Sequence, residues 1–334
     1  MSLPDFERIK LARLQQKIRP HLKAIGDSLD RLAGSDIALA DEVGRHVRNG
    51  QGKMFRPTLL LLSASDGRDV PPAAVEAAAA VELVHTATLV HDDFIDDAQT
   101  RRGQPAVNVK YGAATAVIMG DLLYTRALQH LARLGLMRPF QLMTDAAVHM
   151  CEAEMLQVQT RFSLDTDEDT YLRIIYQKTA SLIECACRIG ASFLPDTETY
   201  DPMFEAFGRK TGLVFQITDD IFDYLGDPRR LGKPTGQDWE EGRITLPLIA
   251  AWRQADAASR EALAALVAAR DPDERSAGWP QVQAFVQEHG GVDYAYMRAR
   301  ALGDEAKAAL AGLPDGPQRD LLTTAVEYVI NRLK

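Results

Sequence analysis

Two carboxylate clusters, Asp92-Asp93-Phe94-Ile95-Asp96 and Asp219-Asp220-Ile221-Phe222-Asp223, repeat one D-D-x-x-D pattern, each continuing an apolar helical run. On a helix, residues four apart share a face about one turn, roughly 5.4 Å, along the axis, so Asp92 with Asp96 and Asp219 with Asp223 present paired oxygens. Unpaired, those oxygens repel. Hard divalent cations remove the repulsion, and Mg²⁺ takes one or two protein carboxylates while leaving its other positions to water and substrate phosphates. Two such boxes facing each other would hold a diphosphate. A solvated acidic face explains one such cluster in a chain with 47 Asp and Glu among 334 residues, but recurrence of the whole pattern argues against it.

Basic residues sit where anions would need them. Lys53 and Arg56, three apart in Gly52-Lys-Met-Phe-Arg-Pro57, open a helical segment and are expected to share a face at its anion-friendly N-terminus. His85 precedes Asp92 by two helical turns and should project toward the same side. Arg101-Arg102-Gly103 follows the first box, and arginine is the preferred bidentate ligand for phosphate. The stretch from Gly226 to Gly242 follows the second box and carries Gly226, Gly232, Gly236 and Gly242 with Arg229, Arg230 and Lys233. Its composition suits a mobile basic lid over phosphates.

These residues must be carried by helices. Apolar positions three or four apart recur over Phe6 to Leu32, Pro72 to Asp97, Ala114 to Leu134, Pro139 to Phe162, Thr170 to Phe193, Pro202 to Leu225 and from Ala257 to the end, while strand signals are nearly absent. Thr166-x-x-Asp169 reads as a helix start. The expectation is an all-α chain, one large helical bundle over 1-334 with a central catalytic cavity lined from facing helices.

Composition limits the alternatives. A hydrophobic content of 46% supports a sizeable core, and a net charge of −9 argues against a nucleic-acid surface or electrostatic attachment to anionic lipid. Apolar stretches at Leu59 to Leu62 and Ala77 to Val84 look too short, or too broken by Glu82, to reach the roughly 20 residues of a transmembrane segment. The amino terminus resembles neither a secretory signal nor a transit peptide, so a cytoplasmic location is expected. Cys151, Cys185 and Cys187 read as buried free thiols.

Taken in order, Gly52 to Pro57, Glu82 to Asp97 with Arg101-Arg-Gly103, Lys178-Thr179, Phe215 to Tyr224, Gly232 to Gly236 and Thr245-Leu-Pro247 resemble the trans-isoprenyl diphosphate synthases, of the long-chain, octaprenyl-type polyprenyl branch. The resemblance covers roughly Gly52 to Pro247 and departs at Arg243, where the family often has lysine. It implies the isoprenoid synthase fold, a homodimer, and Mg²⁺-dependent condensation of isopentenyl diphosphate with an allylic diphosphate. By that resemblance, three Mg²⁺ ions are bound with the diphosphate, held by Asp92, Asp96 and Asp219, with Asp93, Asp220 and Asp223 in support. Arg101, Lys178, Thr179, Gln216 and Lys233 would serve the allylic substrate, and Lys53, Arg56, His85 and Arg102 isopentenyl diphosphate. The growing tail would run back along the helix before Asp92, where Ala87 and Thr88 control entry and small Ala87 leaves the way open to a heptaprenyl to decaprenyl product. Met143 would lie deepest on a face continued by Ala147, Met150, Glu154 and Gln157. The product would be a lipid for delivery to membranes, in isoprenoid or quinone side-chain biosynthesis.

Other readings fit less well. A farnesyl or geranylgeranyl diphosphate synthase shares the boxes and differs at the tunnel. A terpene cyclase pairs one such box with a different motif and needs no second phosphate pocket. A His-Asp phosphohydrolase would need more histidines converging on the metal than His85 and His91 provide, and a noncatalytic prenyltransferase subunit has no physical need for intact boxes.

Overall fold

The longest apolar run folds as one helix, Pro72–Ile95, begun by prolines whose fixed φ suits a first turn. Glu82 lies inside this helix without breaking it, so the segment is long and apolar enough to cross a membrane, contrary to the expectation from shorter runs. Its apolar surface is spent within the protein, since 67% of its most apolar window is buried. The computed structural model describes residues 11–49, 52–65, 70–225 and 235–333.

Around this first-box helix pack Arg19–Ala33, Phe55–Ala64, Ala113–Arg133 and Ser181–Ala191. The second-box helix, Thr197–Leu225, packs against Ser181–Ala191, Gly291–Ala309 and Pro317–Ile330. Gly212 permits that approach, because a Cβ there would lie 2.5 Å from Ala180. Met137–Thr160 closes the side between the boxes. Among the described residues the strand content is one ribbon, Thr100–Arg101 with Gln104–Pro105.

Local signals held with small displacements. The helix expected from Thr166 is capped by Asp167, whose Oδ1 accepts the Thr170 N–H at 2.8 Å, and it spans Glu168–Ile175. A π-turn, Tyr176–Ala180, then interrupts the path to Ser181–Ala191. Such a bulge re-aims side chains, and here it carries Lys178 and Thr179. Cys185 and Cys187 are buried thiols, whereas Cys151 is exposed because its position falls on the outer face of Met137–Thr160.

Candidate active site

Both boxes end their helices on the same cleft. Asp92 faces a cluster containing Lys178 and Glu154, and burial pushes its carboxyl up to about 6, with Lys178 opposing and Glu154 and Asp96 adding. Lys178 Nζ lies 2.6 Å from Glu154 Oε1. Asp96 caps the helix C-terminus, its N–H donating to the Asp92 carbonyl at 2.8 Å. Two arginines approach Asp96 from across the cleft, Arg161 at 3.5 Å and Arg243 at 3.7 Å. Asp93 turns the other way, where Arg101 Nε donates to both its oxygens at 2.6 and 2.7 Å.

The Arg101-Arg102-Gly103 segment is the tip of the ribbon. Arg102 at φ 52° and Gly103 at φ 79° supply the two positive φ values that a tight hairpin turn requires. Arg101 clamps Asp93, while Arg102 lines a second cavity with Gly52, Met54, Glu82, His85 and Thr86. Burial lowers the Arg56 pKa and raises that of Glu82, while Glu82 and the guanidiniums of Arg56 and Arg102 moderate each other. His85 is driven well below its ordinary value by burial and by Arg56, Arg102 and Arg101, so it is neutral near pH 7 and can donate or accept a hydrogen bond. Lys53 does not share a helix face with Arg56: Met54 takes a left-handed φ of 53°, and the helix starts at Phe55. Lys53 instead lies exposed in the irregular segment before the helix, and its carbonyl accepts from Gln15 Nε2 at 2.9 Å.

The second box is tied into its surroundings. Asp223 accepts the backbone N–H groups of Gly236, Gln237 and Asp238 at 3.0, 3.2 and 3.0 Å, capping the short Gln237–Glu240 helix. It still lines the cavity beside Asp219, with its oxygens engaged by these amides. Asp220 accepts from Tyr171 Oη at 2.7 Å and from Gln216 Nε2 at 2.8 Å, and burial with nearby Asp238 holds its pKa well above the usual range despite those bonds. Gln216 Oε1 in turn accepts from Thr179 Oγ1 at 2.8 Å. Asp219 lines the cavity with Gln157, Lys178, Thr179 and Gln216, and receives Arg332 Nη2 at 3.1 Å from the chain's far end.

Sequence reasoning did not single out Arg161, Asp238, Tyr171 or Arg332, since each reaches the site through tertiary packing and none extends a motif. Arg243 joins the two sides: it pairs with Asp238 at 3.0 Å, contacts Glu241, and faces Asp96. Glu154 and Gln157 stand at the catalytic end of their helix as its phase suggested, the first on Lys178 and the second on the cavity. Ala87 and Met143 are buried and the Thr88 hydroxyl donates to the His85 carbonyl; none of these three lines either cavity described above. Lys233, Arg229 and Arg230 lie outside the described residues.

The donor set fits hard cations. Asp96 Oδ1 is buried with no hydrogen-bond partner. No three His, Cys, Asp or Glu groups converge on one point among the described residues.

An all-α bundle with two aspartate boxes across a cleft, a lysine between them and a separate arginine-lined cavity defines an enzyme of diphosphate chemistry. The polyprenyl synthetase family model matches residues 38–280, and the chain belongs to that family. It is 34% identical over 324 residues to the heptaprenyl diphosphate synthase component 2 of Geobacillus stearothermophilus, covering 97% of this chain and 99% of that protein. It is 35% identical over 331 residues to the all-trans-nonaprenyl-diphosphate synthase (geranyl-diphosphate specific) of Rhodobacter capsulatus, covering 99% of each. The polyprenyl synthase of Caulobacter crescentus CB15, complexed with calcium and isoprenyl diphosphate, superposes with a TM-score of 0.89 at 30% identity, over 96% of this chain and 97% of that one. The fold is that of the isoprenoid synthases, and the enzyme is a prenyltransferase of the trans-polyprenyl diphosphate synthase type.

Proposed function

We propose that the chain condenses isopentenyl diphosphate with an allylic diphosphate, using Mg²⁺, and repeats the step to a heptaprenyl to decaprenyl product. The observation that carries this reading is the meeting of Asp92, Asp96 and Asp219 with Lys178 on one cleft beside a second cavity lined by His85 and Arg102. Asp92, Asp96 and Asp219 would hold the ions, which supply Lewis-acid neutralisation of the departing diphosphate. Lys178 exchanges Glu154 for a phosphate oxygen, and the Thr179 and Gln216 dipoles lie near the developing allylic cation. Lys53, Arg56, His85 and Arg102 hold the second diphosphate, which stays attached to its carbon skeleton. The released diphosphate accepts the final proton.

The long product is supported by relatives named for seven and nine isoprene units and by small Ala87 on the first-box helix. A homodimer is supported by an exposed apolar stripe, Val148, Met155 and Val158, on Met137–Thr160. One continuous buried apolar cluster from Leu11 to Val329 supports a single domain, and three free cysteines support a reducing, cytoplasmic setting from which the lipid product passes to membranes.

Incubating the purified chain with isopentenyl diphosphate, farnesyl diphosphate and Mg²⁺, then separating the dephosphorylated products, tests the reading. Products of seven to ten units are expected, with none after chelation. Ala87→Phe should shorten them, because a ring at that level fills the path of the tail. Wild-type product ending at farnesyl or geranylgeranyl length, or full-length product from the variant, would refute the long-chain reading.

A further inference from the structure

Arg275 has a role that neither the boxes nor the second cavity explains. It lies on Pro272–Glu288, and its side chain is 1% exposed, yet no carboxylate comes within salt-bridge distance among the described residues. Burial and nearby Arg270 push its pKa down to about 10, with the charge of Glu240 opposing them. A buried cation with no salt-bridge partner is costly, so its contacts must offset a considerable desolvation penalty. They converge on one short segment. Arg275 Nε donates to the Trp239 carbonyl at 2.9 Å, Nη2 donates to the same oxygen, and Trp239 Nε1 returns a bond to the Arg275 carbonyl at 2.8 Å. Nη1 donates to the Ala269 carbonyl at 3.1 Å. The guanidinium also stacks 3.9 Å from the Trp239 ring centroid and 4.6 Å from that of Phe162.

The segment so gripped carries the bridge between the boxes. Phe162 N–H donates to the Gly242 carbonyl at 2.8 Å, and Gly242 takes φ 75° with its Cα so close to the Phe162 ring that a Cβ would lie 2.3 Å from it. The next residue is Arg243, whose N–H donates to the Asp238 carbonyl at 2.8 Å and whose Nε donates to the Asp238 carboxylate at 3.0 Å. At the near end Asp223 holds the amides of residues 236 to 238. The turn is thus fixed from the second box, from Phe162 at the end of Met137–Thr160, and from Arg275 in the last third of the chain.

We propose that Arg275 is a positioning residue for prenyl transfer: by clamping the Trp239–Gly242 turn it sets where the Arg243 guanidinium meets Asp96. The idea rests on the reading of the first box as the allylic diphosphate site. Arg275 touches no substrate; its output is the placement of Arg243, and a displacement of about 1 Å at such a group can cost up to a hundredfold in rate.

The test is a double-mutant cycle of Arg275→Met with Arg243→Gln in the full chain, reading kcat, KM for farnesyl diphosphate, KM for isopentenyl diphosphate and the melting temperature. Arg275→Met should raise the farnesyl diphosphate KM about tenfold and leave the isopentenyl diphosphate KM within about twofold, and the double variant should be no worse than Arg243→Gln alone. Arg275→Lys keeps the charge without the planar fork and should fall between wild type and Arg275→Met. Equal losses on both substrates, or additive effects in the double variant, would overturn the proposal. If Arg275→Met does not fold, Phe162→Leu removes the opposite wall of the clamp and should give the same one-sided KM change; a symmetric change refutes it. An unchanged farnesyl diphosphate KM in Arg243→Gln itself would strike at the allylic-site reading, whereas an effect there with none in Arg275→Met strikes at the clamp alone.

Discussion

In the first box Asp92 faces Lys178 and Glu154 across the cleft, and Asp96 meets arginines at distances of 3.5 and 3.7 Å. In the second, all three aspartates line the cavity, but among the described residues Asp220 and Asp223 accept five hydrogen bonds of 2.7 to 3.2 Å from protein donors, whereas Asp219 meets the Arg332 guanidinium. The difference follows from what the chain does next. After Asp96 it leaves through Asp97 at φ 49° into the ribbon, so one aspartate, Asp93, is spent on orienting that ribbon through Arg101. After the second box the described chain comes back onto the same helix, and residues 236 to 238 dock on Asp223. A repeated motif therefore need not repeat its chemistry: position within the fold decides which carboxylates remain available to ligands.

The largest effect should come from the first box. Asp92→Ala is expected to lower the single-turnover rate at least about a hundredfold, the scale of removing a principal electrostatic stabiliser. A near wild-type rate would place the metal chemistry elsewhere. Next, Lys53→Ala should raise the KM for isopentenyl diphosphate about tenfold with little change in kcat, since its diphosphate is not the leaving group. An unchanged KM removes Lys53 from that pocket. A smaller effect sharpens the contrast at Asp219. Arg332 stacks 5.3 Å from the Phe215 ring centroid and 5.2 Å from that of Phe222, on the helix face that carries Asp219, and so already balances its charge. Arg332→Gln should tighten Mg²⁺ binding to the substrate-free protein by a few-fold, about 0.5–1 kcal/mol, as for releasing a partly exposed ion pair. Calorimetry showing equal or weaker affinity would mean that Arg332 does not compete with the ion.

Much of this was legible in the residues. Helical periodicity located the two box helices, and Asp92 and Asp219 each lie on one continuous element, but His85, two turns before Asp92, lines the second cavity with Asp93 rather than the side where Asp92 faces Lys178. Lys53 could not be placed from spacing, because the left-handed Met54 breaks the phase on which the pairing with Arg56 rested. Arg161, Arg275 and Arg332 were invisible for another reason. Each is an ordinary arginine on its own helix or helix end, and only the packing of distant segments gives it a carboxylate or an aromatic face. Asp223 shows the limit of a motif most plainly, since its pattern matches Asp96 while its partners come from a turn more than ten residues downstream.

The unequal use of the boxes is tested most directly by comparing Asp219→Ala with Asp223→Ala in one assay: single-turnover rate at saturating Mg²⁺, alongside thermal unfolding. Asp219→Ala should lose at least about a hundredfold in rate while melting near the wild-type temperature. Asp223→Ala should retain most of the chemical rate per folded molecule while losing about 1–3 kcal/mol of stability, because buried backbone N–H groups lose their acceptor. A hundredfold rate loss in Asp223→Ala with unchanged stability, or near wild-type chemistry in Asp219→Ala, would contradict the account.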